Sequence, residues 1–327
     1  MFKRMVLAAG AWACVQALPA QAADLKDLPS ETKWVLNLDI KAVQASPLLN
    51  YVVDKVAPAK RQEAQAKIAA IKALFGIDLV KDIDQLIIAG NGNAEKGGVA
   101  YVYGTFDPQR LTTILAGSKN FTSTQCGSFT VLGWNDGKQK YLSFAKPGLA
   151  MLSSSQTTLT DALDVLSGKK TGLASDSVFK SALSCSGQEL LTLQAVDVPS
   201  IVGEQPKAQA LRQAQALCLH VCAAQPETLS AELSVTAASD ETALQVQQAL
   251  MGIQALALLR SAEAPEPATL AALAKISSKG RTVGVTITLP KSVVESIVRQ
   301  REERRAAKAA AQTAAAATSA TAPAATN

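Results

Sequence analysis

Hydrophobic and polar positions alternate cleanly over residues 229–236, where Leu229, Ala231, Leu233 and Val235 interleave with Ser230, Glu232, Ser234 and Thr236. A period of two predicts a strand with one buried face and one face turned to water or a polar partner. The same period returns at Val283, Val285, Ile287 and Leu289. Apolar runs bounded by turn residues predict further strands at residues 34–38, 85–89, 99–106, 129–134, 141–145, 149–153, 190–196 and 217–223. Helical spacing marks Leu159, Leu163 and Leu166, with Gly168 as the stop, and it marks Ile68, Ile71, Leu74 and Phe75 on a helix whose other face carries Lys60, Arg61, Lys67 and Lys72. Helix starts are expected after Asp39, Asp107, Asp197 and Ser239, side chains that can accept a backbone N–H, with Pro108 and Pro199 in first turns where the missing donor costs nothing.

These elements fall into two similar sets. Each set reads strand, helix, strand, strand, helix, strand, with an extra hairpin at residues 141–153 in the first. The fold class expected is therefore α+β: two β-α-β-β-α-β halves of the ferredoxin-like, split βαβ kind, over residues 23–170 and 171–300.

The two ends differ from this body. Lys3 and Arg4 precede an apolar run of about 14 residues, and Pro19-Ala20-Gln21-Ala22 supplies the small-x-small pattern of a signal-peptidase site. The run is shorter than the roughly 20 residues a membrane span needs. A bacterial export signal over residues 1–22, cleaved after Ala22, is expected, with a periplasmic or secreted mature chain. Cys14 lacks a lipobox before it. No later segment is expected to span a bilayer, since the best, residues 249–259, is short and contains Gln254. At the other end, residues 301–327 read as a charged helix end running into a disordered tail, with thirteen alanines in the last 22 residues. The terminal helix is expected from Lys291 to about Ala311.

The chain's 327 residues are 48% hydrophobic, 18% charged and 4% aromatic, which gives ample material for a core and excludes wholly disordered, collagen-like and disulfide-dense classes. Its formal charge of +5 falls to +3 once Lys3 and Arg4 are removed. That remainder matches the cluster of Arg299, Arg301, Arg304, Arg305 and Lys308 against Glu302 and Glu303, so the body has no bias toward polyanions. Nucleic-acid binding has no support. The cationic cluster is the candidate contact for an anionic envelope partner.

A resemblance can be placed on junction motifs. Leu28-Pro29-Ser30-Glu31-Thr32 precedes the first strand, Ser46-Pro47-Leu48 enters the following helical region, and Gly76-Ile77-Asp78 with Asp82-Ile83-Asp84 leads into the second strand. Over about residues 26–170 this resembles a loose family of exported bacterial proteins of unknown function. The resemblance implies export and supplies no catalytic residues.

Candidate chemistry is sparse. Gly90-Asn91-Gly92 with Gly97-Gly98 joins strand to strand, whereas a phosphate-cradling loop leads from a strand into a helix N-terminus. Cys218, His220 and Cys222 alternate on one strand face, with the outer two about 13 Å apart in an extended chain, so one ion cannot take all three without a bend. A core-facing histidine beside two thiols is the reading, with no metal and no cofactor. His220 is the single histidine and has no flanking carboxylate in its strand. Asp82 with Asp84, and Asp240 with Glu241, sit at element starts where capping accounts for them. Export leaves Cys126, Cys185, Cys218 and Cys222 where disulfides form. If the strands flanking the second half's crossover are parallel, Cys185 and Cys218 lie at the same end of the sheet, and a Cys185 to Cys218 bond is expected if any forms. The function expected is a non-enzymatic binding or structural module of the bacterial envelope, contacting protein or an anionic polymer. The alternative is an exported hydrolase using carboxylates or His220.

Overall fold

The computed structural model describes residues 25–56, 58–92, 97–173, 179, 187–202, 213–225 and 227–320. The expected signal at residues 1–22, Cys14 and Cys185 lie outside them. The strands are β1 (Trp34–Asp39), β2 (Ile83–Gly90), β3 (Gly98–Gly104), β4 (Thr122–Cys126), β5 (Phe129–Asn135), β6 (Gln139–Lys146), β7 (Leu149–Ser153), β8 (Gln188–Val196), β9 (Ala214–Gln225), β10 (Thr228–Ala237), β11 (Lys275–Lys279) and β12 (Thr282–Pro290). The helices are α1 (Ile40–Ala45), α2 (Pro47–Val56), α3 (Pro58–Phe75), α4 (Pro108–Ala116), α5 (Gln156–Leu166), α6 (Val198–Val202), α7 (Asp240–Leu259), α8 (Pro265–Leu273) and α9 (Lys291–Ala320).

The strands form one 12-stranded sheet in the order β11-β12-β10-β9-β8-β1-β2-β3-β7-β6-β5-β4. Every described pairing is antiparallel. The fold is thus α+β with an antiparallel sheet. The ferredoxin-like arrangement is not what the chain adopts. A split βαβ unit crosses over to a parallel strand and leaves room for another between, but β2 lies directly against β1 with Asp39 opposite Gln85. Helices α1, α2 and α3 therefore carry the chain out from the end of β1 and back to that same end. No full-length crossover is made. In the second half β9 is likewise the antiparallel neighbour of β8.

Local signals hold where a side chain caps a helix. Asp39 accepts from the Ala42 N–H, Asp107 from that of Arg110, and Ser239 from that of Thr242, while Gly168 takes φ +75 just past α5. Asp197 ties strands together as well as preceding α6. It has φ +50, and its carboxylate pairs with Lys33 Nζ at 2.5 Å, so it pins the β8 exit to the β1 entrance. The glycine that ends β2 also has a packing cause: a Cβ on Gly90 would lie 2.8 Å from the Trp34 indole. Asp78 and Asp82 fold the lead into β2, with Asp78 accepting from the Val80 and Lys81 N–H groups and donating its own N–H to Asp82. Helix α9 runs to Ala320, beyond the expected end near Ala311, because the alanine-rich stretch favours helix without needing a packed face.

Paired residues share a face of the sheet, so the register traces each face across it. On one face Val35, Ile87, Ala89, Val99, Tyr101 and Met151 pack with Leu159 and Leu163 of α5. Continuing through the Asn37–Thr192 pair, this face becomes polar: Thr192 opposes His220, His220 opposes Glu232, and Glu232 opposes Thr286. The other face packs Leu190 and Leu229 on Ala42, Leu48, Val294 and Val298, and packs Ala237 and Val283 on Ala243 of α7.

Tyr101 is fully buried and, among the described residues, its hydroxyl has no hydrogen-bond partner; the same holds for the Tyr103 hydroxyl. Burial, reinforced by the negative charge of Asp27, pushes the Tyr103 phenol up to about 12 and raises that of Tyr101 further. Both groups are raised above the ordinary phenol value near 10, so folding favours the neutral form. Their contribution is complete below that value and is lost as pH rises through about 12. Urea unfolding should find Tyr101→Phe more stable by about 1 kcal/mol at neutral pH, because an orphaned buried hydroxyl is removed, and less destabilised between neutral and alkaline pH. Deleting residues 313–327 should leave the melting temperature unchanged, since this end of α9 extends beyond Val294 and Val298, its core contacts.

Candidate functional site

Two regions of the second half carry features that fold stability alone does not require. The first is built on the polar sheet face. His220 is 2% exposed, and its Nε2 lies 3.0 Å from Cys218 Sγ. Its Nδ1 lies 3.4 Å from Thr192 Oγ1 and 3.4 Å from Glu189 Oε2, and the Thr192 hydroxyl donates to the Glu189 carboxylate. Thiol, imidazole and carboxylate are thereby aligned in that order. Spacing along β9 accounts for Cys218 and His220, which are two residues apart on one face. Glu189 is present through an irregularity. Thr192 opposes His220 but Glu189 opposes Cys222, so a three-residue step along β8 is matched by a two-residue step along β9. Strict alternation would place Glu189 on the opposite face from Thr192; the β-bulge between Glu189 and Leu191 reverses it. A bulge has no signature in this stretch of sequence, so Glu189 is not legible there as a neighbour of His220.

Next to Cys218 lies a cavity of about 260 Å³ lined by Gln194, Ala216, Ser234, Thr236 and Thr282. Phe179, Ala195, Val196 and Leu217 complete the lining, so its described walls are hydroxyl, amide and apolar groups without a charge. Among the described residues no cluster of histidine, cysteine and carboxylate groups has the geometry to hold a metal ion.

The expected Cys185 to Cys218 disulfide is not formed, because Cys218 is a thiol. Cys222 is the disulfide-bonded cysteine of β9, and its partner lies outside the described residues. The expectation rested on β8 and β9 being parallel. Because they are antiparallel, the start of β8 meets the Cys222 end of β9, with Glu189 opposite Cys222 and Cys218 near the far end opposite Gln194.

The second region is the α7–α8 pair. Helix α7 has 20 residues and is long and apolar enough to cross a membrane by length and composition, yet only 6% of it is buried, which corrects the expectation that no later segment reaches that length. Its N-terminal half packs on the sheet through Ala243, Val246 and Leu250. Toward its C-terminus Met251, Ile253, Leu256, Leu258 and Leu259 are 52%, 63%, 59%, 42% and 81% exposed, and Leu270 of α8 adds to them. Gln254, which interrupts this stretch in the sequence, turns inward. Its Nε2 donates to the Ala271 carbonyl at 2.7 Å and to the Ala274 carbonyl at 2.9 Å, satisfying the open end of α8.

The cationic cluster is partly consumed. Arg304 Nη1 pairs with Glu266 Oε2 at 3.1 Å, and its Nη2 donates to the Glu263 carbonyl, so it ties α9 to the start of α8. Arg299 is exposed on α9 and Arg301 is half-buried, while the side chains of Arg305 and Lys308 lie outside the described residues.

No protein-family model matches the chain, and no curated protein matches it. Among solved structures it is similar to TP0453 in two crystal forms. Crystal form IV gives a TM-score of 0.47 at 12% identity over 85% of this chain and 98% of that one. Crystal form I gives 0.46 at 13% identity over 85% and 97%.

Peptide mapping of the protein under non-reducing conditions should find Cys222 in a disulfide, with Cys126 and Cys218 both alkylated. A bond from Cys218 to any other cysteine would contradict the antiparallel register.

Proposed function

We propose that this chain is an exported, non-enzymatic protein of the bacterial envelope, built of two similar halves on a shared sheet, that associates with a lipid bilayer surface through the α7–α8 hairpin. The observation carrying this reading is the exposed apolar end of α7. A helix that is apolar all round is ordinarily buried in a core or in a membrane, and this one is neither along residues 251–259. Charge is confined to its ends, with Asp240 and Glu241 in the first turn and Arg260 at the C-cap. The one polar side chain between Ala249 and Leu259 is Gln254, which is spent on α8. The 20 residues of α7 span about 30 Å, near the thickness of a bilayer's hydrocarbon layer, but its polar positions, Asp240, Glu241, Thr242, Gln245, Gln247 and Gln248, crowd the first half. Its first half is packed on the sheet, so the contact supported is insertion of the second half into the interface. Five large side chains entering the acyl boundary contribute on the order of 1 kcal/mol each.

The cations that once favoured an anionic polymer give weaker support, because Arg304 is engaged within the chain. Attraction through apolar side chains also makes a specific forecast about salt. The mature chain should float with phosphatidylcholine vesicles in a density gradient, equally at low and high salt. Leu256→Glu with Leu259→Glu should leave it at the bottom while preserving its melting temperature. Flotation unchanged by that pair of substitutions would overturn the reading. So would a wild-type chain that ignores vesicles and sediments as a concentration-dependent dimer, the result that assigns the apolar surface to a second copy.

A further inference from the structure

We infer that Cys218 is a nucleophilic thiol, activated by His220 and oriented through Glu189, that forms mixed disulfides with small uncharged disulfide compounds entering the adjoining cavity. The argument starts from the order of the three groups. A carboxylate only accepts hydrogen bonds, so the imidazole edge facing Glu189 carries the proton at Nδ1. Nε2 is left as an acceptor, and Cys218 Sγ stands 3.0 Å away from it. Nucleophile, base and orienting acid within hydrogen-bond reach of one another form the arrangement that activates cysteine in unrelated folds. On the other side of β9, register sets Glu232 of β10 opposite His220 on the same face.

The class of reactant follows from the cavity. Its volume of about 260 Å³ admits a small molecule, and Gln194, Ser234, Thr236 and Thr282 offer hydrogen bonds but no charge to hold an ionic one. Nε2 takes the thiol proton and the Cys218 thiolate attacks one sulfur of the disulfide. The new Cys218 S–S bond forms as the old S–S bond breaks, and the departing thiolate takes a proton from the imidazolium. Cys218 is oxidised, one half of the compound is reduced to its thiol, and no other oxidant is needed.

Cys126 serves as the internal control. It is also a half-buried thiol, but its Sγ faces the Thr160 hydroxyl at 3.9 Å, with no imidazole beside it. The mature full-length chain is treated with dithiodipyridine, and separately with iodoacetamide, and modification of each cysteine is followed by mass spectrometry. Native Cys218 should react on the order of tenfold or more faster than Cys126, with the ratio falling toward one in urea. His220→Asn should abolish that advantage and Glu189→Gln should reduce it. Equal native rates would overturn the proposal, and so would an advantage that survives His220→Asn, because the thiol would then owe its reactivity to access alone. If His220→Asn does not fold, Glu189→Gln decides the matter, since Glu189 is 40% exposed at the site's edge and an unchanged rate there removes the relay.

Discussion

Everything in the second half depends on the pairing of β1 with β8. Five residue pairs, from Trp34 opposite Ala195 to Leu38 opposite Leu191, join strands whose other edges are held by β2 and β9. Side chains alternate with a period of two, so fixing one pair fixes the facing of each neighbouring strand in turn. A slip of one residue would carry Leu191 and Leu193 to the polar face and Thr192 to the apolar one. The register is pinned at one end by the Lys33–Asp197 ion pair at 2.5 Å and by the Val196 N–H donating to the Lys33 carbonyl at 2.7 Å. The positive φ of Asp197 releases the chain from β8 immediately beyond this lock.

The same register explains how one face of one sheet serves two purposes. Beneath α5 it carries Ile87, Tyr101 and Met151 and builds the largest buried side chains into the core. Across the β1–β8 seam it carries Thr192, Gln194, Cys218 and His220. Buried polar groups are costly unless partnered, and Thr192 and His220, both buried, are partnered with each other and with Glu189. The bulge in β8 is the physical device that makes this possible, since it delivers a carboxylate to a face that simple alternation would deny it.

What could be read from the sequence was local. Caps at Asp39, Asp107 and Ser239, the stop at Gly168 and the alternation in β10 are each decided within a few residues, and each has its expected structure. Strand order was not legible, because a connection as long as residues 40–82 returns to its starting end as readily as it crosses the sheet, and apolar periodicity records neither path. The error about the disulfide descends directly from that one: with β9 taken as parallel to β8, Cys218 rather than Cys222 falls beside the start of β8. Of the polar site, Cys218 and His220 were visible as a strand pair, whereas Glu189 was hidden by the bulge. The apolar surface was underread for a related reason. Gln254 interrupts it in the sequence but is folded away onto α8, and Arg304 reads as free positive charge until Glu266 is placed beside it.

The two proposed surfaces lie on opposite faces of the sheet. Helix α7 packs on Ala237 and Val283, and Val283 pairs with Val235, one position along β10 from Ser234, the residue opposite Cys218. Successive residues of a strand point to opposite sides, so a bilayer meeting the exposed end of α7 approaches from the side away from the Cys218 cavity. Membrane contact through Leu256 and Leu259 therefore leaves the thiol turned toward the aqueous compartment, where a small uncharged disulfide would reach it. The arrangement is consistent with the distribution of polarity along β10 itself, whose Leu229, Leu233 and Val235 serve the helix-covered face while Ser230, Glu232 and Ser234 serve the other.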